Sequence, residues 1–437
     1  MFLTRDVDSF LLKHNFVHGA NPESLINSIL RDMSCGLNGQ ESYQDMIKTY
    51  MLPPESSPKN ETVIVIDAGG TNFRSCLVSF GSDGKPSILD MQKTKMPGVE
   101  KELSKKEFFD AFAENLEHLK DKSSKIGFCF SYPMTITSDG DGILIGFCKE
   151  VKAPQVEGSA IGAELKKALR EHGWKNELSV ALMNDTTSAL LAGASNIPQG
   201  KQYSSYIGFI LGTGMNGAYI QKPGDFLPSD FKKQIVVCES GKFSGLPLSD
   251  ADRIYDAKSA KPGKSLLEKM CSGAYLGPVA LELLKLASDE GIFSKAFAQR
   301  IKSLESLSLI ELDSFLHAPF DKTSLFVKML EESSECSSDA DNLFGILDAV
   351  VERSASYSAA LLCALVIKSG EGKTPLKPVC ILCNGTTFYK TYRIRDRIIS
   401  ILDRYLENRP ENPRFYELVS RENDITIGTA IGGLMTL

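Results

Sequence analysis

Two segments of this chain share one build, and any fold has to accommodate both. TVIVIDAGGTNFRSCLVSFGSDGK reads as a buried strand, a Gly-rich turn, a second strand and another turn, and YIGFILGTGMNGAYIQ reads as an apolar strand, a Gly-Thr turn and an apolar strand. Each is a β-hairpin aimed by its glycines. About 140 residues separate them, which suits one hairpin in each of two similar lobes facing a common cleft rather than a short-period repeat. A length of 437 residues also exceeds what one hydrophobic core usually serves, so two lobes are expected on size alone.

The turns themselves carry chemistry. Gly69 and Gly70 let the backbone bend without a Cβ in the way, so amides and the side chains of Thr71 and Asn72 can face phosphate oxygens. Asp67 stands at the strand end, where it can position Mg2+ through water, because magnesium keeps several waters and accepts few protein carboxylates. Arg74 either adds charge or ties the turn down. An ordinary Gly-containing hairpin looks the same, and the spacing of a Walker loop is absent. Gly212, Thr213 and Gly214 form a second such turn after a matching strand, and two of them suggest a clamp on a nucleotide. In ELSVALMNDTTSALLAGASN a strand delivers Asn184 and Asp185 into the start of a helix. Asp directly before a helix is a favoured N-cap whatever its chemistry, and taken alone Asp185 reads as the cap.

Elsewhere the pattern is coarser. Residues 1 to about 50 show helical spacing up to a break at MLPPESSPKNE, and further helical signals run over Lys105 to Leu119 and Ser159 to His172, the second with Ser159 as N-cap and Gly173 at the stop. KIGFCFSYP is a strand entering a proline-terminated loop. Residues 290 to 375 are helical in character, interrupted by SSECSSDADN, and carry no motif. PVCILCNGTTFYK returns to strand and a Gly-Thr turn, and ITIGTAIGGLMTL is apolar enough for a packed terminal helix or strand.

Composition narrows the function classes. With 42% hydrophobic and 24% charged residues, the chain sits near the averages for soluble globular proteins. A net charge of -6 with scattered basic residues gives no footprint for nucleic acid. The longest apolar run, Ala359 to Ile367, is far below the roughly 20 residues a bilayer span needs. The start MFLTRDVDSFLLKH lacks a signal-peptide pattern, so a cytoplasmic protein without membrane contact is expected. Ten cysteines in a chain this long are no disulfide scaffold, and Cys380 and Cys383 form a C-x-x-C without the second ligand pair that zinc needs. The five histidines are isolated, so no metal held by protein ligands is expected.

VIVIDAGGTNFR, FSYP, GILIGFCKEVKAPQVEG, NDTTSALLAG, GTGMNGA, CESGKF, LEKMCSGAYLG and CNGTTFYK follow the order and approximate spacing of the hexokinase family, which the chain resembles from MLPP near residue 51 to about residue 285 and again from Val379. The resemblance implies an α/β, two-lobed actin-like ATPase (ribonuclease H-like) fold closing over a hexose, with glucose the first candidate, and Mg-ATP. It implies a small lobe of residues 61–186 plus about 429–437, and a large lobe of 1–60 plus 187–428. Asp185 would be the base that takes the proton of the sugar hydroxyl, with Lys149 the second catalytic residue and Asn184 beside it on the sugar. The sugar pocket would be Ser131, Pro133, Cys148, Lys149, Asn216, Glu239 and Glu268. ATP would lie on Asp67, Gly69, Gly70, Thr71, Asn72 and Arg74 and on Gly212, Thr213 and Gly214, with adenosine on Gly385, Thr386 and Thr387. Magnesium would arrive with ATP, water-bridged to Asp67 or Asp185, and the protein would be a monomer or a homodimer.

This assignment agrees with the chemistry. Phosphoryl transfer asks a protein mainly for in-line positioning, charge neutralisation and a carboxylate near the attacking hydroxyl. A polyhydroxylated ring needs a pocket of paired donors and acceptors, which the Asn and Glu side chains supply. Closure of the lobes would exclude the water that competes with sugar. Three alternatives share the resemblance: a sugar sensor that binds hexose without turnover, a kinase preferring mannose, fructose or an amino sugar, and an actin-like filament protein that would leave the sugar residues without purpose.

The chain also departs from the family. Where W-T-K-G-F is usual it has Phe147, Cys148, Lys149, Glu150 and Val151, and Asn384 stands where an acid is common. A thiol is a weak hydrogen-bond partner. Cys148→Thr is therefore expected to lower the apparent KM for glucose in a steady-state assay, and an unchanged KM would remove the idea.

Overall fold

The computed structural model describes residues 3–17, 21–147, 151–195, 197–224, 227–333 and 336–435. In chain order its strands are β1 (Ile47–Lys48), β2 (Glu61–Gly69), β3 (Asn72–Phe80), β4 (Pro86–Lys95), β5 (Lys125–Phe130), β6 (Met134–Ile136), β7 (Gly142–Leu144), β8 (Ser179–Met183), β9 (Ser205–Leu211), β10 (Met215–Gln221), β11 (Gln234–Val237), β12 (Val379–Asn384) and β13 (Tyr416–Val419). A five-stranded sheet has the order β4-β3-β2-β5-β8 and a six-stranded sheet the order β1-β11-β10-β9-β12-β13, while β6 and β7 pair by themselves. In the first, β4, β3 and β2 run antiparallel, and β5 and β8 continue parallel to β2. In the second, β11, β10 and β9 run antiparallel, and β12 and β13 continue parallel to β9. Apart from β1, one plan is used twice, and the two Gly hairpins, β2/β3 and β9/β10, occupy corresponding places in it.

Strand β2 shows why the plan forms. Val63, Ile64, Val65 and Ile66 are all buried, the unbroken apolar run that a strand covered on both faces requires. One face, with Ile64, Ile66, Phe128, Phe130 and Leu182, packs on Phe108, Phe109 and Phe112 of helix Lys105–Asn115 and on Leu165 and Leu169 of helix Ile161–Glu171. The other, with Val63, Val65, Ala181 and Met183, meets Leu190 and Leu191 of helix Asp185–Gly193 and Ala430 and Ile431 of helix Asp424–Leu434. The apolar C-terminal segment is thus a helix.

Helix boundaries follow the sequence closely with one correction. Ser104 and Glu107 form a capping box ahead of Lys105–Asn115. Ser159 does not cap the next helix: Ala160 holds the N-cap position without a side-chain bond, and the Asp141 carboxylate accepts from Gly162 N at 2.6 Å and Ala163 N at 2.8 Å instead. A carboxylate at a helix start gains from the helix dipole as well as from the two amides. Gly173 follows the helix with φ +80, the expected stop.

Residues 290 to 375 build the far side of the six-stranded sheet. Helix Ser338–Ser369 has 32 residues and is long and apolar enough to cross a bilayer, but most of that apolar surface is buried inside the protein. Its Arg353 is 1% exposed and makes a two-pronged bond with Asp252 at 2.7 and 2.9 Å, with the Phe16 ring 4.0 Å from the guanidinium. A buried charge needs such a partner, and the pair fastens the N-terminal segment to the core. Cys380 and Cys383 are buried strand thiols on opposite faces of β12, with Cys383 in the large core and Cys380 donating to Gly193 O at 3.7 Å.

Helix Asp185–Gly193 joins the two sheets. On one side it lies on Gly208 of β9, where a Cβ would stand 2.3 Å from Thr186 O. On the other it lies on Gly428 of the terminal helix, where a Cβ would stand 1.7 Å from Ser188 O. Neither distance admits a side chain. Gly428→Ala is therefore expected to destabilise the protein by roughly 1–3 kcal/mol, as overpacking in a filled interior does. A denaturant midpoint equal to the parent's would contradict this contact.

Candidate active site

Three neighbouring parallel strands end together. In register, Asp67 of β2 is level with Cys129 of β5, and Cys129 with Met183 of β8. Asn184 and Asp185 follow Met183 directly. With strands about 4.8 Å apart, Asp67 stands about two strand spacings from the position that leads into Asp185. The thiol between them feels both acids: burial pushes the Cys129 thiol well above its ordinary range, and the charges of Asp67 and then Asp185 push it further.

Local capping decides what Asp185 can do. The N-cap of helix Asp185–Gly193 is Asn184, whose backbone is extended and whose Oδ1 accepts from Thr187 N at 2.8 Å. Asp185 is the first helical residue, with Thr186 Oγ1 donating to its Oδ1 at 3.1 Å. The capping role that the sequence alone would give Asp185 thus belongs to its neighbour.

Around these acids the β2/β3 turn and the loop after β5 are built as one unit. Ser131 N donates to Ala68 O at 3.1 Å, and Tyr132 OH donates to Gly70 O at 3.2 Å. Arg74 binds Asp67 at 2.9 Å, so it ties the turn down. Thr71 is exposed and Asn72 partly so. Pro133 O accepts from Ile145 N at 2.9 Å. Tyr132 packs on Phe130 at 4.8 Å and on Phe147 at 5.1 Å. This aromatic row fixes the loop that carries Ser131 and the chain leading to position 148. Cys148, Lys149 and Glu150 lie outside the described residues.

The six-stranded sheet contributes a second cluster. Asn216 of β10 donates through Nδ2 to Glu239 Oε1 at 2.9 Å, while its Oδ1 accepts from Gly217 N at 2.8 Å and Ser240 N at 3.1 Å. Glu268, on the short helix Leu266–Cys271, accepts from Met215 N at 3.2 Å. Glu239 has a left-handed backbone, φ +55, an uncommon conformation for a residue with a side chain. Burial pushes its carboxyl up, and Asp45 and Asp185 add to that, against the opposing Lys242 charge and the Asn216 donor. Helix Asp185–Gly193, which follows β8, rests on Gly208 of β9, so residues of the two sheets meet here.

The second turn is braced from two directions. Gly212 N donates to Gly214 O at 2.9 Å, and Gly212 O accepts from Thr387 Oγ1 at 2.8 Å and from Gly273 N at 2.8 Å. Gly385 has φ +115, and a Cβ there would stand 2.2 Å from Leu211 O, so only glycine fits. Thr213 and Thr386 remain exposed at the lip, whereas Thr387 is buried against Gly212. Three supporting groups were not singled out from sequence. The amides of Gly273 and Ala274 opening helix Gly273–Asp289 hold the carbonyls of Gly212 and Thr213, and Ser272 before an apolar helical run is the signal that marks that helix start. Cys129 and Asp424 gave no signal, one being an apolar-strand thiol and the other a single acid in an apolar tail.

For magnesium the donor set is suggestive. Among the described residues no group of three or more His, Cys, Asp or Glu side chains converges as a metal cage. The acids at the strand ends are Asp67 and Asp185, a set that fits a Mg2+ carried by a nucleotide and reached through water.

Comparison with known proteins agrees with the geometry. Two family profiles, both described as Hexokinase, match residues 11–195 and 206–435. Hexokinase-1 of Schizosaccharomyces pombe is 30% identical over 393 residues, covering 83% of this chain and 77% of that protein. A hexokinase of Schwanniomyces occidentalis is 28% identical over 466 residues, covering 99% and 94%. The solved structure of the Schistosoma mansoni hexokinase complexed with glucose superposes with a TM-score of 0.76 at 22% identity, covering 98% of each chain. The two-lobed actin-like fold expected from the sequence is the fold observed.

The raised carboxyl of Glu239 has a consequence for stability. A carboxyl whose folded pKa lies above its unfolded value favours the folded state at low pH, and that contribution is lost as pH rises through the folded value. Glu239→Gln removes the ionised form while keeping an acceptor for Asn216. It is expected to raise Tm by about 1–3 °C near neutral pH and by less near pH 5, while weakening hexose binding by calorimetry. A Tm change of the same size at both pH values would contradict the assignment.

Proposed function

The chain belongs to the hexokinase family of ATP-dependent hexose kinases, and from that premise we propose that it transfers the γ-phosphoryl group of Mg-ATP to the 6-hydroxyl of a hexose, glucose before others, with Asp185 as the base. The observation that carries this reading is the division of labour at one helix start. Asn184 makes the cap bond to Thr187 N, and the carboxylate beside it stands at the strand ends with Asp67, within electrostatic reach of Glu239.

The proposed roles follow from chemistry. Ser131, Pro133, Asn184, Asn216, Glu239 and Glu268 line the sugar, and the Asn216–Glu239 bond orients one donor and one acceptor toward its hydroxyls. Cys148 and Lys149 are proposed to join them, with Lys149 placing positive charge near the transferred group. The turns Asp67, Gly69, Gly70, Thr71, Asn72, Arg74 and Gly212, Thr213, Gly214 grip the phosphates, and Gly385, Thr386, Thr387 the adenosine. When bound with ATP, Mg2+ neutralises charge on the phosphates. Asp185 accepts the hydroxyl proton as the oxygen attacks, within hydrogen-bond reach of it. Residues 61–186 with about 429–437 act as one lobe and 1–60 with 187–428 as the other, closing on the sugar so that water is kept from the phosphoryl group. The protein is proposed to be cytoplasmic and to work as a monomer or homodimer.

Purified protein with Mg-ATP and a panel of hexoses should release ADP only when sugar is present. Asp185→Ala should lose about 10²- to 10⁴-fold in kcat, the scale of a general base. Thermal stabilisation by hexose with no ADP release would instead identify a sugar sensor.

A further inference from the structure

Strand β12 ends at Asn384, immediately before the Gly385–Thr387 turn. Asn384 donates through Nδ2 to both carboxylate oxygens of Asp424, each at 2.7 Å. Asp424 is 5% exposed and is the first residue of the terminal helix, where its Oδ1 also accepts from Ile425 N at 2.7 Å. On the β12 side the turn is bonded to Gly212 through Thr387 Oγ1 at 2.8 Å. On the helix side, Thr429 Oγ1 and Ser188 Oγ are 2.9 Å apart, and Ser188 belongs to the helix that Asp185 begins. A continuous series of bonds and packed backbone therefore connects the turns of the six-stranded sheet to the helix that presents Asp185.

We propose that Asn384 and Asp424 form a positioning pair for the transfer reaction, their bond setting where the nucleotide turns stand relative to the Asp185 carboxylate. This rests on the reading of Asp185 as base and of Gly385–Thr387 as the adenosine turn. A buried carboxylate left without its donor is costly, so Asp424 holds the Asn384 amide in one place. In-line transfer is sensitive to that placement, since a displacement of about 1 Å can cost roughly 10²-fold in rate.

The pair also makes the inference testable by pH. Asn384→Asp would place two carboxylates within about 3 Å of each other, where like charges cannot both ionise and one proton is shared. Burial already pushes the Asp424 carboxyl up, against the Asn384 donor and the amides of its own helix start. Asp424 acts on Tyr389, whose hydroxyl donates to Cys383 O at 2.8 Å and is pushed up to about 12, by burial first. The buried Cys383 thiol of β12 pushes Tyr389 further up, and Arg395 of helix Ile394–Leu402 opposes it. The shared proton is the titration that the substitution introduces. Its pKa lies above the ordinary carboxylate range, so the bond exists at low pH and is lost as pH rises through that value.

The experiment measures kcat and KM for the parent, N384D, N384L and D424N between about pH 5.5 and 8.5, with folded fraction followed by circular dichroism. N384D is expected to stay within about threefold of the parent at the acid end and to fall about tenfold or more in kcat at the alkaline end, with the sugar KM little changed. N384L should be slow at every pH, and D424N, which turns one of the two accepting oxygens into a donor, should lower kcat by a factor that does not change with pH. A kcat profile for N384D parallel to the parent's, whatever its thermal stability, overturns the proposal. Affinity for a non-hydrolysable ATP analogue, measured in parallel, keeps the two readings apart. A parent without turnover defeats the assignment of Asp185, and the pair then stands if N384D loses analogue affinity as pH rises and falls if it does not.

Discussion

Helix Asp185–Gly193 is held between Gly208 of β9 and Gly428 of the terminal helix, both so close that no side chain fits. The place of Asp185 between the two sheets depends on that contact. The helix starts at the end of β8 and so takes its position from the five-stranded sheet, while its flank rests on the six-stranded sheet. Two sheets built on one strand order, each with a Gly hairpin at the same place, thereby face a common point. A close backbone contact of this kind is stiff, because filled interiors do not yield by fractions of an ångström without cost.

At that point the electrostatics follow from geometry. Asp67, Asp185 and Glu239 are acids from different elements; burial raises the Cys129 thiol and the Glu239 carboxyl, and the charges of Asp67 and Asp185 on the first and of Asp45 and Asp185 on the second add to it. Arg74, Asn216 and Lys242 partly offset this accumulation of negative charge. A hexose offers hydroxyl donors to such a set, and the cations that accompany a nucleotide offer charge. Such a set of acceptors beside two Gly turns suits a ligand that brings both, as proposed.

Much of this was legible in the sequence, for identifiable reasons. The apolar runs of β2 and β9 and the glycines after them announce hairpins, because a strand covered on both faces must be continuously apolar and a tight turn must be free of Cβ atoms. The helix that begins at Lys105 was equally plain from its apolar spacing. The Ser159 cap was not made because Asp141, distant in sequence, supplied the carboxylate. Local chemistry assigned Asp185 to capping. Only the three-dimensional start of the helix, with Asn184 extended and bonded to Thr187 N, separates the two neighbours. The Asn384–Asp424 bond, across 40 residues, and the Gly428 contact with Ser188 have no signature in composition or periodicity.

The central claim is that Asn184 makes the cap so that the Asp185 carboxylate can meet the sugar. A crystal structure with a hexose and a non-hydrolysable ATP analogue tests it directly. An Asp185 oxygen should lie about 2.6–3.2 Å from the hydroxyl nearest the γ-phosphate, with Asn184 Oδ1 still on Thr187 N. An Asp185 turned back onto the amides of its own helix, with the reactive hydroxyl served by another group, would contradict it.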